Sequence, residues 1–124
     1  MIVVHSSAVL TLLERGAGFE ALAAKLTEAG EAAISPVSAM DALMTLSRNY
    51  ADPGPIITVF LRQSRIALRP VDATQAYWAR HGFLNFGSAV WTLADCFAYG
   101  AAKALEAPIL ATTDIFAKSD LRMA

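Results

Sequence analysis

The chain opens with an uninterrupted apolar run, Ile2-Val3-Val4, which stops at His5, Ser6 and Ser7 before Val9, Leu10, Leu12 and Leu13 take up helical spacing. This pattern predicts a buried strand that hands over to a helix, with Ser6 or Ser7 as the N-cap. A second helix is predicted from about Phe19 to Ala29, with Leu22 and Leu26 on one stripe and Gly30 as its stop. Ala32-Ala33-Ile34 repeats the strand-to-helix handover. Ser35 suits an N-cap, Pro36 suits the first helical position, and Asp41 falls in the second turn. Val37, Met40 and Met44, joined by Leu43, share a face at helical spacing and are expected in the core. Asp52-Pro53-Gly54-Pro55 breaks the chain, and a helix from Ile56 to about Gln63 then leads into a third strand, Ile66-Ala67-Leu68. Pro70 closes that strand, and Asp72 caps a helix containing Ala76, Tyr77 and Trp78. Gly82 to Gly87 is expected to be a loop that holds His81 at its edge. Asp95 opens an Ala-rich helix, Pro108 to Ala111 reads as the last strand, and Asp114 follows at its carboxyl end, ahead of a turn and a short helix.

Three strand-to-helix handovers and a closing strand predict one α/β domain over residues 1–124, with a parallel sheet of four to five strands and helices on both faces. Sheets of this kind place ligands at the carboxyl ends of their strands. His5, Asp41, Asp95 and Asp114 each fall just after a strand or in the first turns of the helix that follows, so all four are predicted at one rim. Taken singly, Asp95 and Asp114 read as helix caps. Taken together, three carboxylates on one rim repel one another, and a divalent cation is the usual way of neutralising them. Hard carboxylate oxygens select Mg²⁺ or Mn²⁺, and a metal so held can generate hydroxide and stabilise a phosphodiester transition state.

Composition changes this picture in two respects. A hydrophobic share of 56% suggests a surface buried against a partner or a second copy. The net charge of −1 provides no global field for nucleic acid, so any RNA contact has to come from a local patch. Cys96 is the single cysteine, which excludes an internal disulfide and a multi-cysteine zinc site; it reads as a small core residue, and its solitude fits a reducing compartment. No basic segment precedes an apolar run, and no apolar run approaches the roughly 20 residues needed to span a bilayer, so a cytoplasmic protein without membrane contact is expected. The glycine patterns of dinucleotide and P-loop sites are absent, as is a G-x-S-x-G nucleophile elbow.

The order of these motifs resembles the PIN-domain family, and more narrowly the VapC-type ribonuclease toxins of type II toxin–antitoxin systems. The resemblance runs from end to end. It rests on Met1-Ile2-Val3-Val4-His5-Ser6-Ser7-Ala8, on Ile34 to Ala42, on Asp95-Cys96-Phe97-Ala98-Tyr99, and on Thr112-Thr113-Asp114-Ile115-Phe116 with Ser119-Asp120. The last two stretches are the most specific. It implies a three-layer α/β/α sandwich and an endoribonuclease dependent on Mg²⁺ or Mn²⁺. It also implies a homodimer and a cognate VapB-like antitoxin that covers the site. Carried over by position, the catalytic and metal-binding residues are Asp41, Asp95, Asp114 and His5.

Asp41 stands where the family has a glutamate, and two larger departures stand out. The first is His5, in the place of an aspartate. In many relatives the run Leu84-Asn85-Phe86-Gly87 sits directly against the helix-starting acid; here Ser88 to Ala94 intervene, and if helical they add about two turns ahead of Asp95. Around this set, Ser7 and Thr112 are placed to orient the site carboxylates by hydrogen bonds. Lys118 and Arg122 flank Asp114 and suit a phosphate or an antitoxin carboxylate. Arg62, Arg65 and Arg69 read as a solvated helix end or as a track for an RNA backbone. Trp78, Trp91, Phe83 and Phe86 read as core anchors or as base-stacking groups. Two functions follow from the sequence: a metal-dependent endoribonuclease, or a catalytically impaired RNA- or antitoxin-binding scaffold whose metal site was lost through His5.

Overall fold

Val3 lies at the centre of the molecule and is fully buried, with Ala33 beside it on one neighbouring strand and Ile109 on the other. The computed structural model describes residues 1–124. Its sheet is wholly parallel, with strands β1 (Ile2–Val4), β2 (Ala32–Ile34), β3 (Ile66–Leu68) and β4 (Ile109–Leu110) in the order β3-β2-β1-β4. Met123 extends the β4 edge through one further parallel bridge to Ile109. Side chains alternate across a strand. Ile2, Val4, Ala32, Ile34 and Leu110 therefore face helices α1 (Ser6–Glu14), α2 (Phe19–Ala29), α3 (Pro36–Leu46) and α4 (Gly54–Gln63). Val3 and Ile109 face α5 (Ala73–Gly82) and α6 (Leu93–Leu105) on the other side. Helices on both faces make the predicted three-layer α/β/α sandwich. No helix is long and apolar enough to cross a membrane.

Local chemistry explains most boundaries. Gly30 ends α2 at φ 74, and Ser35 accepts from the Val37 N–H at 3.2 Å with Pro36 at the start of α3. Asp72 accepts from the Gln75 N–H at 2.9 Å and starts α5.

Four expectations are corrected. The N-cap of α1 is His5 rather than Ser6 or Ser7, because its ring nitrogen accepts from the Ser7 N–H. The buried face of α3 is Ser38, Ala42 and Leu46, and Met40 and Met44 are exposed. Close packing between helices selects the small-residue stripe and turns the bulky one outward. Gly82 to Gly87 is not a loop: α5 continues through Gly82, and Phe83–Gly87 forms a π-helical turn. His81 accordingly sits in the last turn of α5, its carbonyl accepting from Asn85 at 2.8 Å. Finally, the segment after Asp114 is a run of turns instead of a short helix, closed by Ala117 N–H to the Asp114 carbonyl and Ser119 N–H to the Phe116 carbonyl.

The residues between Gly87 and Asp95 do not lengthen α6. Val90 and Trp91 N–H groups turn back to the Gly87 carbonyl at 2.9 and 2.8 Å, and the Trp91 indole enters the core on the α5–α6 side. Thr92 then caps α6, which leaves Asp95 in the first turn.

Candidate functional site

At the carboxyl end of β1 the chain turns straight into α1, and the turn brings a buried imidazole to the rim. His5 Nε2 lies 2.7 Å from Asp95 Oδ1, and both residues are buried. Asp95 is doubly held, since its Oδ2 accepts the Thr92 N–H at 2.9 Å while its own N–H donates to Thr92 Oγ1 at 3.2 Å, a capping box. Burial alone would raise the Asp95 carboxyl, but the hydrogen bonds from His5 and Thr92 outweigh it and hold it below the ordinary carboxylate value. The first turn of α6 adds the positive end of the helix dipole.

Asp41 stands in the second turn of α3, and its Oδ2 accepts from Ser6 Oγ at 2.7 Å, joining α3 to the start of α1. Asp114 is exposed beyond the end of β4. Ser7 and Thr112 meet each other: the Thr112 backbone N–H donates to Ser7 Oγ at 3.0 Å, and Ser7 Oγ lies 2.8 Å from His5 Nδ1. Ser7 thus serves the imidazole rather than a carboxylate. Lys118 and Arg122 are exposed in the segment after Asp114, with Arg122 donating to the Glu106 carbonyl at 3.4 Å.

The structure therefore brings His5, Asp95, Ser7 and Thr112 into one bonded group, and Asp41 into a second one with Ser6. The divalent cation implied by the family resemblance does not match this arrangement. No three His, Cys, Asp or Glu side chains lie close enough to hold one ion together, and both oxygens of Asp95 are engaged.

Three features were not foreseen in the sequence. Thr92 follows the capping-box spacing to Asp95, a signal that could have been read. Ser6, three positions before Val9 on the strand-to-helix turn, gave no sign of pairing with Asp41. Asp120 accepts from the buried Tyr99 hydroxyl at 2.7 Å and from Lys103 Nζ at 2.9 Å, tying the segment that carries Asp114 to α6. Cys96 is buried, and burial together with the neighbouring Asp95 charge pushes its thiol up, which suits a packing residue and not a thiolate nucleophile. Trp91 and Tyr99 are buried in the core, with the Trp91 indole donating to the Ile115 carbonyl at 3.3 Å.

With the rim described, its relatives can be placed. Against solved structures, the chain matches Mycobacterium tuberculosis VapC20, a sarcin–ricin loop cleaving toxin, at a TM-score of 0.78 and 13% identity, covering 100% of this chain and 98% of that one. The chain has the PIN-like fold of the VapC toxins. A toxin–antitoxin complex from Klebsiella pneumoniae matches at a TM-score of 0.70 and 13% identity, over 97% of this chain and 93% of that one. In sequence, the chain is similar to a ribonuclease VapC of Mycolicibacterium smegmatis, 26% identical in an alignment that covers 96% of each protein. No family model matches the chain.

Proposed function

We propose that this chain is an attenuated ribonuclease of the VapC kind. It hydrolyses RNA phosphodiester bonds at the rim formed by the ends of β1 and β4, the first two turns of α3 and the first turn of α6, and a cognate antitoxin restrains it. The observation that carries this reading is the similarity to a ribonuclease VapC over 96% of both chains. Asp41, Asp95 and Asp114 are the acidic groups of the proposed site. Asp114, exposed at the strand end, is open to take a proton from an attacking water. Lys118 and Arg122, exposed in the same segment, are the cations available to an RNA phosphate. Mg²⁺ or Mn²⁺ enters through the resemblance alone. The resting rim lacks a matched donor set for either, which is the reason for assigning attenuated activity.

A second reading is favoured by one observation, the His5–Asp95 contact, which consumes a carboxylate oxygen. In it the chain is a scaffold that binds RNA or antitoxin without cutting. The experiment that separates the two uses purified protein and RNA, beginning with a ribosomal stem-loop of the sarcin–ricin kind, in Mg²⁺, in Mn²⁺ and in EDTA. Weak cleavage by the native chain that disappears in Asp95→Asn supports the ribonuclease. Cleavage that persists in Asp95→Asn belongs to a contaminant and sinks it, and RNA retained without cleavage leaves the scaffold.

A further inference from the structure

The Ser7 backbone N–H is the one directed hydrogen bond to the His5 ring, and it points to Nε2 as the nitrogen that carries the ring proton. The Ser7 backbone N–H donates to Nδ1 at 3.1 Å, so Nδ1 presents a lone pair and carries no hydrogen. Ser7 Oγ accepts the Thr112 N–H at 3.0 Å and lies 2.8 Å from Nδ1. Nε2 then bears the ring hydrogen and donates it to Asp95 Oδ1 at 2.7 Å. The Thr92 N–H closes the sequence on Asp95 Oδ2 at 2.9 Å. One unbroken run of donors and acceptors, from Thr112 through Ser7, His5 and Asp95 to Thr92, ties together the loop after β4, the start of α1 and the start of α6. Phe116 stands edge-on to the imidazole, its centroid 5.2 Å away at 77°, and fixes the ring plane.

We propose that this run is a latch that keeps the rim closed to divalent cations: His5, donating through Nε2, takes up the Asp95 carboxylate that a cation would need. The proposal deepens the ribonuclease reading, since it concerns the same rim, and supplies a cause for attenuated activity. A cation has no lone pair to use on His5, because Nε2 is protonated and Nδ1 caps α1. To capture Asp95 it must break the 2.7 Å contact and leave a buried imidazole N–H without an acceptor. Displacing the ring also removes the cap of α1 and the anchor of the loop that leads to Asp114.

The test uses the full chain and two readouts that do not depend on cleavage. Long-range proton–nitrogen spectra report the His5 tautomer, and thermal melts are run in EDTA, Mg²⁺ and Mn²⁺ on the native chain and on His5→Asp. The expected result is a ring with its hydrogen on Nε2 and none on Nδ1, a native melting temperature that is the same in all three buffers, and a His5→Asp variant that melts lower in EDTA and recovers several degrees with either cation, as a ligand bound only to the folded state requires. A ring protonated at Nδ1 overturns the latch, and so does a native melting temperature that rises with cation or a His5 signal broadened by Mn²⁺. Should His5→Asp fail to fold, the native tautomer and native melts still decide. RNA cleavage by the native chain tests the ribonuclease reading and moves neither readout, so the two ideas fail separately.

Discussion

An imidazole at position 5 caps α1 through one nitrogen and holds a carboxylate through the other, so a single side chain secures two helix starts. His5→Ala removes an N-cap and leaves Asp95 buried without its partner. The expected loss is about 3 kcal/mol of unfolding free energy, measurable by denaturant titration, from a cap worth about 1 kcal/mol and the larger cost of breaking a buried pair. Acid sensitivity follows with a definite sign. The Asp95 carboxyl is held below its ordinary value in the folded chain, so its contribution is complete above the unfolded carboxylate value of about 3.9 and is lost as pH falls through the lowered folded one. Asp95→Asn should therefore be less stable at neutral pH and show a shallower decline below pH about 4. These placements were legible only in part. The strand-to-helix turns put His5, Asp41, Asp95 and Asp114 near the same rim in the sequence. Pairing across 90 residues depends on tenths of an ångström, which periodicity does not carry.

Between α5 and α6 the packing is unusually close, and glycine makes it so. An added Cβ at Gly100 would run into the Gln75 carbonyl oxygen, and one at Gly87 into the Trp91 indole. Gly100→Ala should cost about 1–3 kcal/mol by overpacking, despite alanine's better helix propensity, and a lower chemical-denaturation midpoint would show it. The Tyr99 hydroxyl adds a polar clamp between α6 and the C-terminal segment by donating to Asp120. Tyr99→Phe should cost about 1 kcal/mol. Burial first, and then the Asp120 carboxylate, push the Tyr99 phenol above its ordinary value, so its contribution is present below pH about 10 and is lost as pH rises further. In an alkaline absorbance titration, the signal missing from Tyr99→Phe should be the one that appears only as the native fold gives way. The element boundaries here were mostly legible, since Asp72, Ser35 and Gly30 are strong punctuation. The residues from Ser88 to Trp91 were harder to read. Their role is to deliver an indole to the core, and only tertiary packing reveals that turn.

For the whole molecule, the 56% hydrophobic share leaves large apolar side chains at the surface in two regions. Tyr77, Leu84, Val90 and Leu93 are exposed along α5, the π-helical turn and the start of α6. On the opposite side, Met40, Met44 and Leu68 are more than half exposed, and Met40 and Leu68 line a groove of about 230 Å³ with Leu43 and Ile57. Isolated exposed apolar residues are ordinary, but methionines one helical turn apart beside an apolar edge strand form the kind of contiguous, adaptable surface that partners cover. The sequence stripe Val37, Met40 and Met44 was a real signal of burial, and the folded chain alone does not bury it. That mismatch is the argument for expecting association: a second copy laid on this stripe would bury what the fold leaves open. Met44→Lys should leave helical circular dichroism unchanged and weaken self-association at least tenfold, equivalent to about 1.4 kcal/mol, because a solvated ammonium replaces a side chain that would be desolvated. Sedimentation at tens of micromolar gives the reading, and about 800 Å² per partner is the buried area expected of a stable pair. If the native chain sediments as a monomer there, and Met44→Lys instead abolishes capture of the antitoxin, the stripe belongs to that partner and the homodimer is excluded.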